Sequence, residues 1–212
     1  MTVAADLRAG PVVAALRRHR LVAVLRRVTP QPALLALVDD LIAAGVRAFE
    51  ITLDAPSAAA DLIAVRRHIL GRSIDDAVVG AGTVRTVAAL DAARDAGADL
   101  AVSPSLDVEL VRAAVSRHLP FVPGALTPTE IVAAWEAGAS LVKLFPASAV
   151  GPAFVREMRA PLPDIQLLPT GGVDASNAAA FLAAGAVAVG VGSALTRADA
   201  AGRRKIVEET LA

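Results

Sequence analysis

The stretch from Leu21 to Leu53 reads LVAVLRRVTPQPALLALVDDLIAAGVRAFEITL. It opens on a short apolar run, Leu21-Val-Ala-Val-Leu25. Between Pro30 and Gly45, the residues Leu34, Leu35, Leu37, Val38, Leu41 and Ile42 recur at the spacing of one helix face. Pro30 stands where proline opens helices, and Gly45 where glycine closes them. Ala48-Phe-Glu-Ile-Thr-Leu53 is strand-like again, and an alanine-rich helical stretch follows to about Leu70. A strand, a helix and a second strand form a βαβ unit, and strands apolar on both faces are those of a buried parallel sheet.

Outward from this unit the pattern repeats. Strand-like runs lie at Ala77-Val-Val79, Leu100-Ala-Val102, Phe121-Val122, Leu141-Val-Lys-Leu-Phe145, Ile165-Gln-Leu-Leu168 and Val187-Ala-Val-Gly-Val191. Helical segments with Ala-Gly stops separate them, as at Ala96-Gly97, Ala137-Gly138 and Ala184-Gly185. With the first two runs, eight strand candidates each precede a helix. Eight βα units in 212 residues predict one α/β domain spanning 1–212, a (β/α)₈ barrel. The rival is a doubly wound open sheet, which normally has a glycine-rich turn after its first strand. Here that turn is Arg26-Arg-Val-Thr-Pro30, without glycine.

Composition narrows the function classes. Hydrophobic residues make up 55% of the chain and aromatics only 3%, so Ala, Val and Leu must build the core. The 21 basic and 21 acidic residues cancel, whereas a nucleic-acid surface needs a basic excess. Cysteine is absent, which excludes disulfides and thiolate metal sites. No apolar run reaches the ~18 residues of a membrane span, and the first twenty residues lack a signal-peptide core. The expectation is a soluble cytoplasmic protein with no membrane or nucleic-acid partner.

Barrel enzymes carry their working residues at the C-terminal ends of the strands. Lys143 interrupts Ser140-Leu-Val-Lys-Leu-Phe-Pro146, where its immediate neighbours are apolar. A buried ammonium is costly unless paired, and a lysine that gives up its proton attacks ketones to form imines. The plainer reading is a lysine that reaches the rim or pairs with a structural carboxylate. Glu50 and Thr52 alternate with Phe49, Ile51 and Leu53. Glu50 is either a proton shuttle or the counter-ion of a buried cation, and Lys143 is the natural cation. Arg26 ends the first strand and could grip a carboxylate; its neighbour Arg27 reads as a solvated loop residue.

Glycine loops follow the last two strands, Pro169-Thr-Gly-Gly172 and Gly190-Val-Gly-Ser193. Such loops bind phosphate in many barrels, though they also serve as tight turns. Gly80-Ala-Gly-Thr83 is read as the loop after the third strand, and Thr83 could hydrogen-bond a carboxylate. Ser103-Pro104 follows the fourth strand. His19, His68 and His118 sit in Arg-containing helical segments and read as surface residues. No metal triad is apparent.

Six blocks stand in order: Glu-Ile-Thr-Leu at 50–53, Gly-Ala-Gly-Thr-Val at 80–84, Val-Ser-Pro at 102–104, Pro-Gly at 123–124 with Thr-Pro-Thr-Glu at 127–130, Lys-Leu-Phe-Pro-Ala at 143–147 and Pro-Thr-Gly-Gly-Val at 169–173. From about Leu21 to Leu195 they resemble the 2-keto-3-deoxy-6-phosphogluconate (KDPG) and 4-hydroxy-2-oxoglutarate (KHG) aldolase family. The resemblance implies a metal-free, cofactor-free class I aldolase on a (β/α)₈ barrel, a homotrimer, which acts on a phosphorylated keto-deoxy sugar acid and releases pyruvate. It makes Lys143 the Schiff-base lysine and Glu50 the general acid/base. Thr83 matches a contact to the pyruvyl carboxylate, and Phe145 the ring beside the imine. Gly171, Gly172, Gly192 and Ser193 match the phosphate loops, with Thr52, Pro104 and Thr170 completing the substrate site. Many members carry an arginine four residues after the glutamate, where this chain has Asp54. Others place it after the first strand, as in Ala23-Val-Leu-Arg26, so Arg26 is expected to hold the carboxylate. Gluconate-type members share the Thr-Gly-Gly pattern, so Thr170 points to the gluconate series. Two rivals remain: another phosphate-binding barrel such as a sugar-phosphate epimerase or thiamine-phosphate synthase, and a ligand-binding barrel without catalysis.

Overall fold

Runs that are apolar on both faces must be covered on both, and parallel strands wrapped by helices achieve this. The computed structural model describes residues 2–211. Two helices come first, α1 (Val3–Ala9) and α2 (Pro11–His19). Strand β1 (Leu21–Leu25) leads to α3 (Gln31–Ala43), β2 (Ala48–Thr52) to α4 (Ala58–Leu70), and β3 (Val78–Gly82) to α5 (Val87–Asp95). Next are β4 (Ala101–Val102), α6 (Val108–Ser116), β5 (Phe121–Val122), β6 (Gly124–Ala125) and α7 (Pro128–Glu136). Then β7 (Val142–Leu144) leads to α8 (Gly151–Arg159), β8 (Leu167–Pro169) to α9 (Ala178–Ala183), and β9 (Val189–Val191) to α10 (Ser193–Arg197) and α11 (Ala200–Leu211).

The strands pair in the orders β5-β4-β3-β2-β1-β9 and β6-β7-β8. Both seams are bridged. β5 and β6 are halves of one strand around Pro123, which has no N–H to donate. The Pro123 carbonyl accepts from Lys143 N at 2.9 Å, so pairing passes from β4 on one side to β7 on the other. At the second seam Thr170 and Gly190 form a parallel bridge, and Val187 N donates to Leu167 O at 3.0 Å. Eight strands thus close into the expected (β/α)₈ barrel.

Alternation along the strands divides the core in two. Outward residues such as Ala23, Leu25, Phe49 and Ile51 pack beneath the helices, with Leu34, Leu37, Val38 and Leu41 of α3. Inward residues Val22, Ala48, Val78, Leu100, Val102, Val122, Leu141, Leu168 and Ala188 fill the N-terminal half of the barrel. Helix α2 closes that end with Val13, Ala15 and Leu16. Leu16 is 1% exposed, and burying a leucine that fully stabilises by roughly 1.5–3 kcal/mol. With the lower half filled by hydrocarbon, the polar inward residues sit at the C-terminal mouth.

The structure corrects several boundaries. The third strand is Val78–Gly82 rather than 77–79, so Gly80-Ala-Gly82 is strand and not loop. The sixth and eighth runs narrow to Val142–Leu144 and Val189–Val191, and the seventh shifts to Leu167–Pro169, so Pro169 is strand and not loop. His19 and His68 are not free surface residues: His19 contacts the Asp76 carbonyl at 3.0 Å, and His68 contacts Asp39 at 2.8 Å, both part-buried. Neither helps form the mouth.

Candidate active site

Lys143 and Glu50 reach the interior from strands that do not pair with one another. Lys143 lies one inward step above Leu141 on β7, and Glu50 one step above Ala48 on β2. Their side chains are 5% and 3% exposed, and Lys143 Nζ lies 3.5 Å from Glu50 Oε1. The two intruders into apolar strands therefore meet as a buried pair, as the sequence suggested. The Phe145 ring centroid lies 5.3 Å from Nζ, on the same strand face as the lysine.

Glycine makes room for this pair. A Cβ at Gly82 would lie 2.1 Å from Glu50 Oε1 and 2.7 Å from its Cδ, so the carboxyl occupies space that any other residue would fill. Gly124, in register with Lys143, does the same for the loop after β4: a Cβ there would come within 2.3 Å of the Pro104 backbone. Pro104 thereby packs beside the lysine strand. Neither glycine has a positive φ, so both are demanded by packing rather than by backbone conformation. Residue type and strand parity were the sequence signal for this, and the reading of 80–83 as a loop hid it.

The loops after β8 and β9 leave neighbouring strands through the Thr170–Gly190 bridge. Thr170 is 5% exposed and its hydroxyl donates to Leu168 O at 3.4 Å. A Cβ at Gly190 would lie 2.3 Å from that hydroxyl. Gly171 and Gly172 have φ of +87° and +74°, a region that only glycine enters readily. Gly171 packs against the Phe145 ring, and Gly172 against Ser148, which the sequence reading did not single out. Gly192 caps α10, and Ser193, its first residue, is exposed.

From β1, the strand that pairs with β9, the chain continues into Arg26, whose Nη1 donates to Asp54 Oδ2 at 2.8 Å and whose Nη2 lies 3.4 Å from Thr83 Oγ1. The Thr52 hydroxyl donates to Leu25 O at 3.4 Å, tying β2 to β1. Arg27 is no free loop residue: its φ is +50° and its Nε lies 3.2 Å from the same Asp54 oxygen. Burial pushes the Asp54 carboxyl up, but the Thr52 hydroxyl and the charges of Arg26 and Arg27 outweigh it and hold it below the ordinary carboxylate range. A cleft of about 470 Å³ at the far end of the barrel, lined by Gly10, Arg94 and Arg117, contains none of these groups. Among the described residues no cluster of three or more His, Asp or Glu could hold a metal ion, and no helix is long and apolar enough to cross a membrane.

Residues 12–208 match the family model described as KDPG and KHG aldolase. The 2-dehydro-3-deoxy-6-phosphogalactonate aldolase of Escherichia coli is 40% identical over 179 residues, 84% of this chain and 85% of that one. The 2-dehydro-3-deoxy-phosphogluconate aldolase of Pseudomonas aeruginosa is 40% identical over 151 residues, 71% and 66% of the two chains. Among solved structures, a KDPG aldolase from Legionella pneumophila with pyruvate captured as a covalent carbinolamine superposes with a TM-score of 0.78 at 27% identity, covering 95% of this chain and 97% of that one.

Proposed function

The chain belongs to the KDPG and KHG aldolase family, and from that membership we propose how its own residues perform the cleavage. The enzyme is a class I aldolase: it splits a phosphorylated 2-keto-3-deoxy sugar acid, or a close analogue, into pyruvate and an aldehyde through a lysine Schiff base. We assign the Schiff base to Lys143 and the proton transfers to Glu50. The observation that carries the assignment is the buried 3.5 Å pair at the barrel mouth.

The chemistry follows from the groups. Lys143 gives its proton to the adjacent Glu50 carboxylate, and its nitrogen attacks the C2 ketone to form a carbinolamine. Glu50 returns that proton to the carbinolamine hydroxyl, and loss of water leaves a protonated imine, which serves as the electron sink, and an ionised Glu50. Glu50 accepts the proton of the C4 hydroxyl, directly or through water, as the C3–C4 bond breaks. The electron pair moves toward the imine to give an enamine, and the aldehyde leaves. Protonation of the enamine at C3 and hydrolysis of the imine release pyruvate and regenerate the lysine. Phe145 lines the imine and Pro104 closes the wall beside it.

Arg26 and Thr83 hold the substrate carboxylate, with Thr52 bracing their strands. Gly171, Gly172, Gly192 and Ser193 present backbone N–H groups and a hydroxyl to the phosphate. Thr170 lies below these loops, where it meets the substrate's C4 hydroxyl. At the same 40% identity the galactonate-series relative matches 179 residues and the gluconate-series one 151, so overall similarity favours the galactonate series and the gluconate reading rests on residue 170 alone. The hydroxyl of Thr170 supports the gluconate epimer, with KHG and the unphosphorylated acid as poorer substrates. We also propose that the enzyme acts as a homotrimer in the cytoplasm.

Incubation with pyruvate and borohydride, followed by peptide mass spectrometry, tests the nucleophile. Lys143 should carry the reduced adduct. Lys205, the other lysine of the chain, pairs with Glu209 at 3.7 Å on the exposed face of α11. Label on Lys205 alone, or on neither lysine, overturns the assignment.

A further inference from the structure

The arginine assigned to the substrate carboxylate is itself held by a carboxylate. Arg26 follows β1 and Asp54 follows β2, two adjacent strands in parallel register, with Leu25 opposite Ile51. Their loops therefore emerge side by side. Asp54 Oδ2 takes Arg26 Nη1 at 2.8 Å and Arg27 Nε at 3.2 Å. The acid is 16% exposed, against 52% and 65% for the two arginines. A largely buried anion thus grips two exposed cations and not the reverse. The cations keep spare capacity: a guanidinium has five N–H donors, and Asp54 engages only part of the set on Arg26. Asp54 Oδ1 is buried and has no hydrogen-bond partner among the described residues.

We propose that Asp54 is a positioning residue: it presents the Arg26 guanidinium to the substrate carboxylate in a fixed orientation, while Arg27 restores the positive charge that Asp54 neutralises. The reading rests on Arg26 as the carboxylate contact. Two opposed effects decide its sign. Asp54 repels an incoming carboxylate, but at the half-exposed Arg26 that repulsion is screened by water. Without Asp54, a long flexible side chain must be ordered during binding rather than before it, which weakens affinity by roughly two- to tenfold. Two arginines and one aspartate leave one net positive charge at the mouth, so an anion is still attracted. Ordering therefore wins, and loss of Asp54 should weaken carboxylate binding.

The test is the rate of borohydride trapping as a function of ketone concentration, with pyruvate and with its neutral methyl ester. Asp54→Ala should raise the half-saturating pyruvate concentration by roughly two- to tenfold, more than it lowers the limiting rate. The value for methyl pyruvate should stay at that of the native protein. Adding Asp54→Ala to Arg26→Ala should produce no further change, because the two residues act as one. Asp54→Asn, of the same shape, gives the same comparison if the alanine variant does not fold. An unchanged or lower half-saturating pyruvate in Asp54→Ala, an equal shift for the neutral ester, or additive effects in the double variant would each overturn the proposal. If Arg26→Ala alone leaves pyruvate unaffected, the carboxylate assignment beneath it is what fails, and Lys143 labelling is untouched.

Discussion

Replacing Gly82 with alanine tests whether the placement of Glu50 matters to catalysis. The new Cβ would stand 2.1 Å from Glu50 Oε1 and 2.7 Å from Cγ and Cδ. An ordinary contact is near 3.4 Å, so the carboxyl must retreat by about 1.3 Å. It has little room, because Glu50 is 2% exposed and walled in by the inward residues of neighbouring strands. The backbone at Gly82 is ordinary strand, so alanine lowers the entropy of the unfolded chain and returns ~0.4–1 kcal/mol. Overpacking costs ~1–3 kcal/mol, which leaves a net loss of roughly 1–2 kcal/mol and a melting temperature lower by about 2–8 °C for a chain of this length. The catalytic loss should be larger. The 3.5 Å pair with Lys143 would open, and a misplacement of ~1 Å at reacting groups costs on the order of 10²-fold. The assay is kcat for pyruvate release, alongside the rate of borohydride trapping and a thermal melt. A folded Gly82→Ala enzyme with near-native kcat would refute the argument that the glycine exists to seat the carboxyl.

Further outcomes follow from the same site and its frame. Glu50→Gln keeps the shape of the side chain and should lower kcat by at least ~10²-fold with the fold retained; a near-native rate would reduce Glu50 to the counter-ion of Lys143. Thr170→Val should shift the kcat/KM ratio between the gluconate and galactonate epimers, since a lost hydroxyl contact leaves a polar group unpaired; an unchanged ratio removes Thr170 from selectivity. At the α7 capping box, Thr127→Ala should destabilise the protein by ~1 kcal/mol in urea melts, with kcat little affected. Glu130 in that box is held below its ordinary range by the Leu126 and Thr127 N–H groups. Its contribution is therefore present above the ordinary glutamate range and lost as pH falls through the lowered folded value; Glu130→Gln should flatten the acid limb of stability, and an unaltered limb counts against the cap.

Much of this enzyme was legible along the chain because its strands are apolar on both faces. Polar intruders stand out against such runs, so Lys143, Glu50, Thr52 and Thr170 could be picked out before any coordinates. The repeat of strand and helix carried the barrel, and motif order carried the aldolase family. What required the fold were relations between residues distant in sequence. Glu50 and Lys143 are 93 positions apart, and only closure of the barrel brings β2 and β7 across the interior within 3.5 Å. The glycines of β3 read as a loop because glycine is a weak strand former; burial overrode that preference, since Leu100 and Glu50 fill the space beside Gly80 and Gly82. Arg27 is solvated as read, 65% exposed, but its contact with Asp54 was not legible because that acid lies one strand away. Local sequence thus determined which residues break the apolar pattern, since periodicity and burial are properties of single elements. Tertiary structure decided which of them meet, because partners across a barrel are set by register and closure, and neither is written in any one segment.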